Sequence, residues 1–215
     1  MLAVLSVLTF AIIGVVFFVV PPAEGLGYYV RLAFFHIPMA WVSVLAFLVS
    51  AFYGAKYLKK SDLHFDRLSA TSAGLGLVFV ILATLSGAVF SKLTWGAYWN
   101  WDPRQTTIFV LLLIYGAYLT LRAAMPDEQR RARVSAAYAL LSFLTVPFLV
   151  FIIPRLYFSL HPAPVLNASG HIDMDPVMLW TLMAALADMT GIYYYLLKRW
   201  VKKAEAGKEG ETVHE

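Results

Sequence analysis

The sequence predicts an all-α integral membrane protein with six transmembrane helices and both termini in the cytoplasm. Of its 215 residues, 60% are hydrophobic and only 14% are charged, and the mean hydropathy is +0.71. This composition is too apolar for a water-soluble domain of the same size. Six apolar segments are long enough, as helices, to cross a hydrocarbon core about 30 Å thick.

The six predicted spans cover most of the chain. They are residues 2–20, 32–55, 68–90, 106–121, 135–153 and 177–197. The first span lacks the basic start and the small-residue cleavage site of a secretion signal, so we expect it to be retained. We therefore predict one transmembrane domain over residues 1–197 and a mobile cytoplasmic tail over residues 198–215.

The basic residues set the predicted orientation. Thirteen of the 17 lysines and arginines lie in the segments that follow the second, fourth and sixth spans. By the positive-inside rule these segments face the cytoplasm, and the three loops after the first, third and fifth spans face outside. This topology explains the net charge of +4, so no nucleic-acid partner is expected.

The outer loops differ from the inner segments because they are rich in aromatic residues and carry three of the five histidines. The sequence contains no cysteine, which excludes a disulfide and a thiolate metal site. Histidine is therefore the strongest remaining ligand for a soft metal. We expect the chemistry of the protein on its outer face.

The second outer loop, about residues 91–105, holds three of the six tryptophans within seven residues. Its aromatic residues are Trp95, Tyr98, Trp99 and Trp101. One interpretation is an aromatic belt at the membrane interface. The other follows from the helical spacing of the first three, which predicts a short surface helix that gathers them into one apolar wall for a flat ligand.

Helix signals frame this loop on both sides. Asp102 is a favoured N-cap and Pro103 a favoured first helical residue, so the pair is predicted to start the fourth span, with Arg104 in the same turn. Pro147 and Pro154 predict that the fifth span bends or ends there, which directs the chain towards the third outer loop.

Two histidines are candidate metal ligands: His36 near the outer end of the second span, and His161 in the third outer loop. Either one alone is typical of an ordinary interfacial histidine. Two on the same face favour axial ligation of haem iron from opposite sides. His171 is a competitor for His161, although its polar neighbours are typical of a plain loop, and His64 and His214 are predicted to be cytoplasmic.

The remaining charged candidates concern the haem periphery and the membrane interior. The propionates of haem are anionic, and four outer cations are available to pair with them: Arg31, Lys92, Arg104 and Arg155. Asp188 lies inside the sixth span, where a carboxylate is costly. We expect it to be neutral and hydrogen-bonded near Thr190, Tyr193 or a neighbouring helix.

Around the tryptophan loop the sequence resembles the membrane haem-handling proteins of cytochrome c maturation, which carry a WGxxWxWDxR signature between two outer histidines. The residues that match the signature are Trp95, Gly96, Trp99, Trp101, Asp102 and Arg104. With six spans and the segment from Arg31 to Pro38, the chain is most similar to the C component of the multi-protein system. It departs from the family's pattern before His161, where Tyr157 and Phe158 stand at positions that often hold tryptophan.

The resemblance implies a non-enzymatic protein that binds b-type haem non-covalently and transiently, with His36 and His161 as axial ligands and the tryptophan loop at the porphyrin edge. It implies a site on the periplasmic face of the bacterial inner membrane, and haem transfer to a membrane-anchored chaperone of the CcmE type. The other implied partners are ABC-type transporter subunits of the CcmA and CcmB type and a small single-span accessory protein of the CcmD type.

Two other functions remain open from the sequence. A membrane b-type electron-transfer cytochrome also needs paired histidines, but such proteins usually bury them at mid-membrane depth. A haem transporter permease subunit needs a polar path between the helices, and Asp188 is nearly the only residue of the predicted spans that would contribute to one.

Overall fold

The fold confirms the predicted all-α membrane class. A computed structural model describes residues 1–161 and 174–212, with side chains as far as residue 206, and no strand occurs among them. A 3₁₀ turn over Tyr28–Leu32 precedes α2, and a π-helical turn over Phe148–Ile152 joins α5 to α6. The helices are α1 (Leu2–Phe18), α2 (Ala33–Lys60), α3 (Leu63–Trp95), α4 (Pro103–Ala123), α5 (Glu128–Pro147), α6 (Ile153–Leu156) and α7 (Pro176–Thr212).

The predicted count of six spans is not confirmed. Five helical segments within the described residues are long and apolar enough to cross a membrane. The remaining candidate, α1, has 17 residues, so it rises about 26 Å at 1.5 Å per residue, just short of a hydrocarbon core. It is apolar on all sides and packs against α7.

Aspartate caps start four of the described helices, namely α3, α4, α5 and α7, and the cap of α4 was predicted. The Asp102 carboxylate accepts a hydrogen bond from the Arg104 amide at 2.9 Å, with Pro103 as the first residue of α4. Asp62 and Asp127 cap α3 and α5 in the same way. The capped helices α3, α4 and α5 each begin before the predicted apolar span, and the cap satisfies an amide at the helix start.

In the later half of the chain, α7 extends beyond its predicted bound, and the fifth span breaks at a proline as predicted. α7 does not end at Leu197 but continues to Thr212, through lysine, alanine and glutamate residues that favour helix. The break in the fifth span lies at Pro147, where α5 gives way to the π-helical turn, and Pro154 sits in the single turn of α6. The chain leaves α6 at the bundle end that carries the tryptophan loop, which we call the outer end.

Small side chains allow α2 and α3 to pack closely. The Ser69 hydroxyl donates to the Ser50 carbonyl at 2.8 Å. Gly76 leaves room for the ring of Phe47, which stacks on Tyr115 with centroids 3.4 Å apart. In lipid, burial of apolar groups gives no advantage, and the close packing that small residues allow is one of the interactions that drive helix association.

The intramembrane carboxylate of Asp188 bonds to a neighbouring helix, one of the alternatives predicted for it. The Thr9 hydroxyl of α1 donates to Asp188 Oδ2 at 2.6 Å. Thr190 donates instead to a carbonyl of its own helix, and Tyr193 bonds to Ser72. The side chain of Asp188 therefore attaches α1 to α7.

Replacement of Gly76 by alanine is expected to destabilise the bundle. The new Cβ would lie 2.5 Å from Cε1 of Phe47, whose ring is fully buried and held against Tyr115. Overpacking of this kind costs about 1–3 kcal/mol of unfolding free energy. Thermal unfolding in detergent measures the loss. Gly74→Ala is the matched control, because nothing lies within 4 Å of its modified position; equal stability of the two variants would contradict the packing described.

Candidate functional site

The outer ends of α2, α3 and α4 and the turn between α5 and α6 enclose a cavity of about 140 Å³. Pockets that surround a drug-sized ligand measure roughly 300–1,000 Å³, so a large planar ligand would enter this cavity only in part. Four of the predicted site residues meet in it. The lining residues are His36, Ala40, Ala83, Thr84, Gly87, Ala88, Trp99, Arg104, Gln105, Thr107, Ile108, Leu149, Val150, Pro154 and His161.

His36 lies in the first turn of α2 and is fixed against α3. Its Nδ1 is 2.9 Å from the Ala83 carbonyl oxygen and 3.2 Å from the Ser86 hydroxyl. A carbonyl oxygen only accepts, so Nδ1 carries the proton and Nε2 of the neutral ring does not. Gly87 makes room for the imidazole, because a Cβ at that position would lie 2.8 Å from His36 Cε1.

His161 is fixed by a carboxylate instead of a carbonyl. Its Nδ1 lies 3.0 Å from Asp102 Oδ1, and its ring centroid is 5.1 Å from that of Trp95. Burial lowers the pKa of His161 to about 4, although the nearby Asp102 carboxylate acts in the opposite direction. At neutral pH the ring is therefore uncharged, which is the form that binds a metal.

Asp102 joins the start of α4 to the segment that carries His161. Besides the Arg104 amide, its carboxylate accepts hydrogen bonds from the Leu160 amide at 2.7 Å and from the Ser159 hydroxyl at 2.9 Å. Burial on its own would raise the pKa of Asp102, but the hydrogen bonds from these donors and the neighbouring His161 lower it below its usual value. Asp102 is thus ionised at neutral pH.

The prediction of a short surface helix in the tryptophan loop is wrong. α3 ends at Trp95 because Gly96 adopts a left-handed conformation, with φ of +82°, and closes the helix through a bond to the Lys92 carbonyl. Residues 97–102 are not helical, and Trp101 also has a positive φ, of +55°. The aromatic residues of the loop therefore do not form one wall.

Each aromatic residue of the loop has its own environment. Trp99 lines the cavity, and Trp95 lies against His161. Trp101 contacts Trp99 edge to face at 5.8 Å but is 71% exposed, and Tyr98 is 60% exposed beside Lys92. Trp99 is thus the tryptophan that a ligand in the cavity would contact.

Buried polar residues that sequence reasoning missed hold the loop in place. The Ser91 hydroxyl donates to the Ala97 carbonyl and accepts from the Asn100 side chain, both at 2.7 Å. Gln105 Oε1 accepts from the Asn100 amide at 2.7 Å. Ser159 was also missed. The available signal was a serine or glutamine next to an apolar segment, because a polar side chain buried there needs a hydrogen-bond partner.

The predicted cations are not equivalent. Arg104 lines the cavity, and its Nε is buried with no hydrogen-bond partner among the residues that the structure describes. Arg155 is exposed and donates to the Phe151 carbonyl. Arg31 lies over two aromatic rings, and Lys92 donates to the Gly96 carbonyl. The competing ligand His171 lies outside the described residues.

These features define a multi-pass helical membrane protein with an imidazole-lined cavity at one end of the bundle. The chain belongs to the heme exporter protein C family, which it matches over residues 1–211.

Individual relatives agree with this assignment. The heme exporter protein C of Bradyrhizobium diazoefficiens is 30% identical over 171 residues, which cover 79% of this chain and 64% of the relative. That of Paracoccus denitrificans is 30% identical over 139 residues, or 61% of this chain and 57% of the relative. The cytochrome c biogenesis protein CcsA of Panax ginseng is 34% identical over 116 residues, or 53% and 35%. The chain thus spans less than two thirds of each of these relatives.

Proposed function

We propose that this protein binds haem at the outer end of its helix bundle and promotes haem transfer to a membrane-anchored chaperone during the maturation of c-type cytochromes. The observation that carries the proposal is the way the two histidines are held. His36 and His161 are both fixed through Nδ1 and both direct their rings to one cavity, so each presents an unprotonated Nε2. Haem iron takes two axial imidazoles in this form.

The other lining groups suit the rest of the haem. Trp99 offers an apolar, polarisable surface for the macrocycle. Arg104 offers a buried guanidinium whose Nε has no partner among the described residues, and a propionate would supply one. Because the cavity is small, part of the porphyrin would remain outside it and within reach of an acceptor.

The location of the cavity favours transfer over electron transport. Both imidazoles lie at helix ends or in a loop, whereas an electron-transfer cytochrome usually holds its ligands at mid-membrane depth. Asp188, the intramembrane carboxylate that a permease path would use, accepts a hydrogen bond from Thr9 through Oδ2.

For the cellular setting we propose the bacterial cytoplasmic membrane, with the cavity on the periplasmic face and both termini in the cytoplasm. The distribution of lysine and arginine supports this orientation. The names of the relatives concern haem export and cytochrome c biogenesis. We propose the matching partners: a CcmE-like chaperone, ABC-type subunits of the CcmA and CcmB type, and a CcmD-like accessory protein.

Replacement of either axial histidine by glycine is expected to remove haem or to change its absorption spectrum while the chain still folds and inserts. Both positions lie at the edge of the bundle, where truncation leaves no large core cavity. Added imidazole should restore part of the spectrum, because it can occupy the vacated axial position. The absorption spectrum of the purified full chain, recorded with and without imidazole, measures both effects.

His64→Gly is the matched control for the histidine variants, since His64 bonds to Glu205 far from the cavity. It is expected to leave the haem spectrum unchanged. His171→Gly tests the competing outer histidine. Normal spectra in both His36→Gly and His161→Gly, or a change confined to His171→Gly, would show that the axial ligands have been assigned wrongly.

Arg104→Gln is expected to weaken haem binding, because it removes the cation that faces the propionates inside the cavity. The loss of one charge-assisted hydrogen bond corresponds to about 1.5–3 kcal/mol, or roughly 10- to 150-fold in affinity. Haem titration of the purified variant measures it. Arg133→Gln is the control, since Arg133 is exposed on α5 at the opposite end of the bundle. A larger loss from Arg133→Gln would contradict the proposed orientation.

A further inference from the structure

The Asp102 carboxylate has more partners than helix capping requires. Capping α4 uses one hydrogen bond, from the Arg104 amide to Oδ1 at 2.9 Å. The remaining capacity is directed to the segment that carries a histidine: the Ser159 hydroxyl, the Leu160 amide, and Nδ1 of His161 at 3.0 Å. The Asp102 side chain is 1% exposed, so water does not compete for these bonds.

We propose that Asp102 is a positioning residue that acts through His161 and makes it the stronger of two unequal axial ligands. The carboxylate fixes the proton on Nδ1, turns Nε2 towards the cavity and increases its basicity. This inference rests on the proposed haem-binding function, because it concerns how the two histidines share the iron.

The inequality follows from the two acceptors. His36 donates from Nδ1 to a neutral backbone carbonyl, that of Ala83 at 2.9 Å. His161 donates to an ionised carboxylate, which draws the proton more strongly and leaves more electron density on Nε2. Iron therefore binds His161 more tightly, and the bond to His36 is the one that breaks first when haem leaves.

The carboxylate also stabilises the oxidised iron. An electron-rich imidazole favours the ferric state, so the Asp102 charge lowers the reduction potential of the bound haem. A residue that only supported the loop would not change this quantity. The reduction potential thus separates a positioning role from a structural one.

Asp102→Asn is the first test variant, and Asp175→Asn is its matched control. Asp175 caps the start of α7 by accepting from the Val177 amide at 2.8 Å. Asparagine is as good an N-cap as aspartate, so both variants keep their caps. Only Asp102→Asn removes a negative charge that lies beside a histidine. It also places an amide N–H group among the hydrogen-bond donors that now face the carboxylate.

The measurements use the full chain, purified in detergent and loaded with haem. We expect Asp102→Asn to weaken haem affinity about 10- to 100-fold, the usual effect of removing a ligand's hydrogen-bond partner, and to raise the midpoint potential. Asp175→Asn should change neither. A folded Asp102→Asn chain with the affinity and potential of the unsubstituted protein would overturn the inference.

A second comparison leaves position 102 intact, so it applies even where Asp102→Asn does not fold. His36→Gly retains the stronger ligand and is expected to hold more haem than His161→Gly. Equal retention, or the reverse order, would overturn the inequality. Failure of the inference is distinct from failure of the proposed function: in the first case His161→Gly still loses haem, and in the second the unsubstituted chain binds none.

Discussion

The hydrogen bonds to one buried carboxylate, that of Asp102, connect the parts of the molecule on which the candidate site depends. They start α4, and they fasten the segment after α6 to that helix end. Without them His161 would lie in a loop with no fixed relation to His36 on α2. The same pair of oxygens thus caps α4 and contacts His161, which lines the cavity.

This arrangement matches the demands of a membrane protein. Inside the bundle, several serine, threonine and tyrosine side chains pair polar groups across helices. At the outer end the chain leaves regular helix: α3 and α6 end there, and α4 begins there. The groups that remain unpaired there, such as Arg104 Nε, are suited to an anionic partner.

Much of this was predictable from sequence. Apolar length predicted the helices, and the capping preference of aspartate and proline predicted the start of α4. The placement of His36 and His161 at one end followed from the alternation of spans and loops. The length of α7 was missed because its polar end has no apolar signal, although its residues favour helix.

The site's detailed geometry was not predictable, because it depends on contacts between distant residues and on single backbone torsions. Ser159 and Asp102 are 57 positions apart, and nothing local indicates that they meet. The predicted surface helix failed at Gly96, whose left-handed conformation outweighs the helical spacing of the aromatic residues around it. Helical spacing of side chains indicates a shared face only where the backbone between them is helical.

The proposed site requires one haem iron to bind two imidazoles in the full chain. Electron paramagnetic resonance of the purified, haem-loaded and fully oxidised protein tests it most directly, because the spectrum reports the axial ligands of ferric iron. We expect a low-spin signal of bis-imidazole type. A high-spin signal from iron with one protein ligand, recorded on the unsubstituted chain and matching the amount of bound haem, would contradict ligation by both histidines.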